Sequence, residues 1–126
     1  MGTETNNMKK VISTKNAPAA IGPYSQAIFS NNTLYCSGQI AINPATGNLV
    51  IDNITAETNQ VMQNISAVLT AADMDFTNVV KCSIFMKDIN DYLAINEVYA
   101  KSFGEFPPAR EAVQVSELPK NVNVEI

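Results

Sequence analysis

The sequence predicts an α+β fold, a mixed sheet with two helices packed on one of its faces. Three observations carry this. Apolar residues recur at helical spacing in only two stretches, while the other patterned segments are short and rich in β-branched or aromatic residues. The order reads β-β-β-α-β-α-β-β, with Leu49–Ile51 taken as a short strand, and this points to helices segregated on one side of a sheet. Two helices leave the other sheet face uncovered. On the strand from Thr33 to Ala41, one side offers Leu34, Cys36, Gly38 and Ile40, the other Tyr35, Ser37, Gln39 and Ala41. The second side is neither fully polar nor fully apolar, which suits contact with another subunit.

Each element has a local reason. Lys10–Thr14 reads as a short first strand. Ala17 to Tyr24 is a loop, because Pro18, Gly22 and Pro23 bar regular structure. Ser25–Ser30 and Thr33–Ile40 are strands joined by a tight Asn31-Asn32 hairpin, since asparagine tolerates positive φ. Asn43-Pro44-Ala45-Thr46-Gly47 is a second turn. Val61, Met62, Ile65, Val68, Leu69 and Ala72 form one face of the first helix. Gln60, Gln63 and Asn64 fill its other side, and Thr55 is the expected N-cap. Val79–Met86 is a strand. The second helix is expected from about Asp91 to Phe103, with Asn90 as its cap and Tyr92, Ile95, Tyr99 and Phe103 facing inward. Strands at Arg110–Val115 and Val122–Ile126 complete the set.

At 126 residues the chain suits one domain. Residues 8–126 read as that domain, and residues 1–7 as a disordered extension or cloning remnant. Hydrophobic residues make up 46%, enough for a core, and charged residues 16%, which leaves surface for an oligomer contact. No apolar run reaches the roughly 18 residues of a membrane helix, and the start lacks a signal pattern. The expectation is no membrane partner and a cytoplasmic location, with an organelle also open. A net charge of −4 with eight scattered Lys and Arg residues argues against a nucleic-acid partner. Histidine is absent, which removes Cys-His and Ser-His pairs and histidine-containing zinc sites. Acid–base work falls to a carboxylate, Tyr, Lys, Cys or water. Cys36 and Cys82 sit in apolar runs and read first as buried small hydrophobes in a reducing compartment, with a disulfide or a metal site as the alternative.

The charges near the C-terminal end stand out. Arg110 opens an apolar strand pattern behind Pro107 and Pro108, and Glu125 interrupts the next. A charge inside a buried pattern is costly unless paired or used. Alternation groups Arg110 with Ala112 and Gln114, opposite Val113 and Val115. That grouping predicts that Arg110 points away from the helix-covered core, as does Glu125. On adjacent strands and one sheet face, the two would lie within reach. They either pair with each other, or Arg110 anchors an anion while Glu125 handles a proton or a water. Gly22-Pro23-Tyr24 is a rigid turn presenting a tyrosine, either as pocket wall or core. Gly38, between Ser37 and Gln39, marks a close backbone approach within a strand. Asn96 sits beside the apolar stripe of the second helix, where an amide needs partners.

Four segments together resemble the RidA/YjgF family of imine and enamine deaminases. They are Ala17–Ala27; Ser37-Gly38-Gln39-Ile40 with Asn43–Gly47; Val79–Phe85 with Asp88–Tyr92 and Asn96–Tyr99; and Pro107 to Ile126. The resemblance spans nearly everything from Met8 onward. It implies a chorismate-mutase-like fold and a homotrimer whose uncovered sheet faces point inward, with active sites between subunits. It implies hydrolysis of reactive 2-imino and enamine acids, such as 2-aminoacrylate, to 2-keto acids and ammonia, with no metal or organic cofactor. By position, Arg110 matches the arginine that binds the substrate carboxylate, Glu125 the glutamate that positions water, and Tyr24 the pocket tyrosine. Ser37 and Gly38 match the strand at the cleft, and Asn96 an asparagine near the site. Ala112 stands where cysteine is frequent and where the backbone contacts ligand.

Two departures from the family pattern stand beside these matches. Glu111 follows the arginine directly, and alternation aims it at the opposite face. The sequence ends at Ile126, where relatives continue for several strand residues, so a loosened last strand and a displaced Glu125 are expected. The competing readings are a non-catalytic, small-carboxylate-binding or chaperone-like trimer and, further off, a ribonuclease.

Overall fold

The computed structural model describes residues 8–126. The expected extension at residues 1–7 lies outside them. Strands β1 (Lys10–Ile12), β2 (Ala27–Ser30) and β3 (Thr33–Cys36) form an antiparallel meander. The β2–β3 hairpin turns on Asn31 and Asn32, both at positive φ (48° and 63°), as their side chains allow. Helix α1 (Ile54–Ala71) follows, then β4 (Lys81–Met86), α2 (Tyr92–Ala100), β5 (Ala109–Gln114) and β6 (Val124–Glu125). The last three strands lie in the order β5-β4-β6, parallel between β4 and β5 and antiparallel between β4 and β6.

The expected sheet thus appears as two three-stranded sheets. They meet at one reciprocal pair: Gln39 N–H donates to Ile126 O at 2.8 Å and Ile126 N–H to Gln39 O at 3.2 Å. That pair fastens the strand end next to Glu125, so the expected loosening is not seen. Leu49–Ile51 contributes a single bridge, Ile42 to Leu49, rather than a strand.

Both helices pack on the same side. The main core joins Val61 and Met62 of α1, Ile95, Val98 and Tyr99 of α2, and Ile84, Met86 and Val124 of the second sheet. A smaller cluster sets Val68 of α1 against Ile12, Ala17 and Ala27. Helix α1 therefore spans both sheets. Its N-cap is Asn53, not Thr55: extended backbone at Asn53 lets Oδ1 accept from Ala56 N–H at 2.8 Å. It ends where Asp73 adopts φ +58° and Met74 N–H reaches back to Leu69 O at 2.9 Å. Helix α2 is shorter than expected. A 3₁₀ turn at Ile89–Asp91 precedes it, capped by Asp88 rather than Asn90, and Ala100 is its last residue.

The polar side of α1 is the largest departure. Asn64, expected on the outer side, is buried, and so is Glu57. Cys36 also departs from expectation, being exposed on β3, while Cys82 is half-buried.

Candidate active site

Arg110 enters β5 behind Pro107-Pro108, paired with Cys82 of β4. Two residues on, Ala112 pairs with the buried Ile84 and packs against the main core. Arg110 therefore shares the helix-covered face, and the expectation that it points away from the helices is corrected. The residue that turns outward is Val113. Small Ala112 fits beneath the helices, and the Arg110 guanidinium lies over tyrosine rings at the strand's start.

Its guanidinium is held by α2. Nη2 donates to Tyr92 Oη at 2.8 Å, and Cζ stands 4.9 Å from the Tyr99 ring centre and 5.6 Å from that of Tyr92. Such stacking favours a cation and limits its rotamers. Tyr99 leans on Phe103 with ring centres 4.8 Å apart. Burial pushes the Tyr99 phenol far above its ordinary range, so the ring stays neutral beside the arginine. Asn96, Phe103, Pro108 and Arg110 line a cleft of about 330 Å³ here.

Ala112 has a second property. Ala109 N–H donates to Val80 O and Val115 N–H to Met86 O, so the odd-numbered residues of β5 bond toward β4. The amide and carbonyl of Arg110, Ala112 and Gln114 then face the open edge of β5, available to a ligand.

Glu125 lies elsewhere. It pairs with Phe85, which also pairs with Val113 on the other side, whereas Arg110 pairs with Cys82. Positions 82 and 85 of one strand have opposite orientation. Arg110 and Glu125 thus sit on opposite faces, with β4 between their strands. The expectation that they share a face on adjacent strands is corrected: within one chain they cannot pair.

Glu125 faces a larger pocket of about 700 Å³, bordered by Tyr24, Ser37, Gly38, Ile40 and Lys120. A Cβ placed on Gly38 would stand 2.5 Å from Glu125 Oε2. Only a glycine leaves that carboxylate its place. Burial raises the Glu125 carboxyl above its usual value, which makes the ionised form a stronger base. Tyr24 is 52% exposed, at a turn in which its N–H donates to Gly22 O at 2.8 Å. Ser37 Oγ donates to Ser25 O at 2.6 Å, which fixes the strand segment leading to Gly38.

Two buried amides and one buried carboxylate support this pocket, and sequence reasoning missed their roles. Gln26 donates through Nε2 to Pro18 O at 2.8 Å and Thr14 O at 3.0 Å, pinning the loop that presents Tyr24. Asn64 and Glu57 hold the backbone on either side of the Gln39–Ile126 pair. Glu111 behaves as alternation predicts. It turns from Arg110 to pair with Lys81 Nζ at 2.6 Å and accept from Ser83 Oγ. Among the described residues, no group of three or more His, Cys, Asp or Glu gathers to hold a metal.

One chain therefore carries a cation-lined cleft and a carboxylate-lined pocket, brought together as Tyr24, Ser37, Gly38 and Glu125 on one side and Asn96, Arg110 and Ala112 on the other. A family model described as Endoribonuclease L-PSP matches residues 14–126. A RutC family protein from Pyrococcus horikoshii is 53% identical over 119 residues, 94% of each chain. The 2-iminobutanoate/2-iminopropanoate deaminase of Capra hircus is 50% identical over 119 residues, covering 94% of this chain and 87% of its own. A crystal structure of a Rid-family protein from Yersinia pestis superposes with a TM-score of 0.91 at 53% identity, covering 94% of both chains. The chain belongs to the Endoribonuclease L-PSP family, to which the RutC and Rid proteins belong as well.

Proposed function

We propose that this protein hydrolyses 2-imino acids to 2-keto acids and ammonia, in sites that two subunits of a homotrimer build together. The observation that carries the reading is Arg110, a guanidinium clamped by Tyr92 and Tyr99 at a cleft mouth, with no carboxylate partner among the described residues. A clamped, unpaired arginine is suited to a planar carboxylate. The deaminase names of relatives at about 50% identity support the substrate class.

The opposite-face arrangement supports the shared site. A closed ring of subunits brings the cleft of one against the pocket of the next. Arg110 then fixes the substrate carboxylate, and the open-edge backbone of Ala112 contacts it from the same strand. Tyr24 forms the wall, with Asn96 beside the arginine and Ser37-Gly38 giving the substrate close approach to Glu125. Glu125 orients a water and takes one of its protons as oxygen bonds to C2. The C=N electron pair moves to nitrogen, which is protonated, and the carbinolamine forms. The hydroxyl proton is passed to the amine nitrogen, directly or through the Glu125 carboxylate, C=O forms and the C–N bond breaks, releasing ammonia. The substrate is already electrophilic, so orientation and one carboxylate suffice.

The test is 2-keto acid release from an imine generated in situ by an amino-acid oxidase. Wild type is expected to accelerate release. Arg110→Ala is expected to lose at least about 100-fold in kcat/KM, as when a buried charge loses its partner. Equal rates for wild type, Arg110→Ala and no protein would sink the reading. The family description also names an endoribonuclease. With eight scattered basic residues and a net charge of −4, this chain offers little to a phosphate backbone.

A further inference from the structure

Helix α1 carries a polar row along the side that faces the strands, with Glu57 and Asn64 buried and Gln60 half-buried. Glu57 has 0% exposure, yet its carboxylate is fully engaged. Oε2 accepts from Asn123 N–H at 2.8 Å and from Val124 N–H at 3.3 Å, and Oε1 accepts from Asn123 Nδ2 at 2.7 Å. All its donors are amides, and it lies in the helix's first turn, where the aligned peptide dipoles favour a negative charge. Asn64, two turns on, donates to Ile40 O at 3.0 Å and Ile42 O at 2.9 Å, and its Oδ1 accepts from Gln60 at 2.9 Å.

These tethers converge. One grips the two residues just before Glu125, the other the residues just after Gly38 and Gln39. The gripped segments are themselves joined by the Gln39–Ile126 pair. An 18-residue helix packed across both sheets is a stiff mount for them. None of these bonds reaches β5 or α2, where Arg110 is held. We infer that Glu57 is a positioning residue for Glu125: with Asn64 it sets where the carboxylate stands over Gly38 without touching substrate. This rests on the deaminase reading, through Glu125.

The experiment compares wild type, Glu57→Gln, Glu57→Gln/Asn123→Asp and Glu125→Gln in the imine assay, together with amide hydrogen exchange at Val124. Glutamine at position 57 removes the charge that strengthens the bonds from Asn123 and Val124, and aspartate at 123 restores a charge-assisted pair with its polarity reversed. Glu57→Gln is expected to lower kcat by about tenfold or more with KM within about twofold, and to speed exchange at Val124 but not at Ile84. The double variant is expected to recover most of the loss. A folded Glu57→Gln with wild-type kcat, beside an inactive Glu125→Gln, overturns the inference and leaves the deaminase reading standing. A fully active Glu125→Gln overturns that reading and the inference with it. A fall that the double variant does not recover, or an equal rise in exchange at Ile84, marks Glu57 as merely structural and also overturns it. Should Glu57→Gln not fold, Asn123→Ala removes one bond only. It is expected to lower kcat about threefold at unchanged KM, and wild-type kcat there overturns the inference.

Discussion

The arginine cleft and the glutamate pocket solve positioning in different ways. Arg110 is a long side chain on an edge strand, and side chains fix it: a hydroxyl from Tyr92 and the rings of Tyr92 and Tyr99. Glu125 is fixed by backbone. Its strand is held by the Gln39–Ile126 pair, by Glu57 from below and by the missing Cβ of Gly38. The difference suits the tasks proposed for them. A carboxylate anchor can tolerate small adjustment of a forked cation, whereas a group that aims a water cannot tolerate a shift of an ångström. Damage to the two regions should therefore read out differently, in KM for the cleft and in kcat for the pocket.

Gly38→Ala is the sharper break. The new methyl would meet Glu125 Oε2 at 2.5 Å, so the carboxylate must move. We expect kcat to fall by about 10- to 100-fold with little change in KM, the signature of a misplaced reacting group. Steady-state kinetics on the oxidase-generated imine checks it, and a rise confined to KM would contradict the division of labour. Tyr92→Phe should act more gently on the other region. It removes one hydrogen bond to Arg110 and keeps the ring, so KM is expected to rise about fivefold, ~1 kcal/mol, at unchanged kcat. A drop in kcat with constant KM would show that Tyr92 does more than hold the arginine.

Much of this was legible in the sequence. The Asn31-Asn32 hairpin, the Val61–Val68 face of α1 and the turn of Glu111 away from Arg110 all follow from local chemistry. The orientation of β5 did not, because Ala112 and Val113 are both apolar and period-two alternation cannot say which goes inside. Residue size decides it: the helices leave room for alanine. The buried row on α1 was missed for a related reason. The apolar face alone sends Gln60, Gln63 and Asn64 outward and leaves Glu57 unplaced, yet Glu57 and Asn64 stand at i and i+7 with Val61 and Val68 at i+4 and i+11, the spacing of one inward stripe. That spacing was the available signal. What it could not supply was the partner, since Asn123 lies 66 residues away in sequence from Glu57. The separation of Arg110 from Glu125 likewise depends on β4 lying between β5 and β6, a matter of strand order that no local pattern encodes.

The central claim is that a working site takes its arginine from one subunit and its glutamate from another. Subunit mixing tests it directly. Arg110→Ala and Glu125→Gln, each inactive alone, would be co-expressed with different tags and the mixed oligomers purified. In a closed ring of three that contains both variants, about one site in three combines an intact arginine with an intact glutamate. The account predicts about a third of wild-type activity in the purified mixed oligomers. Mixed oligomers with no more activity than either variant alone would contradict it.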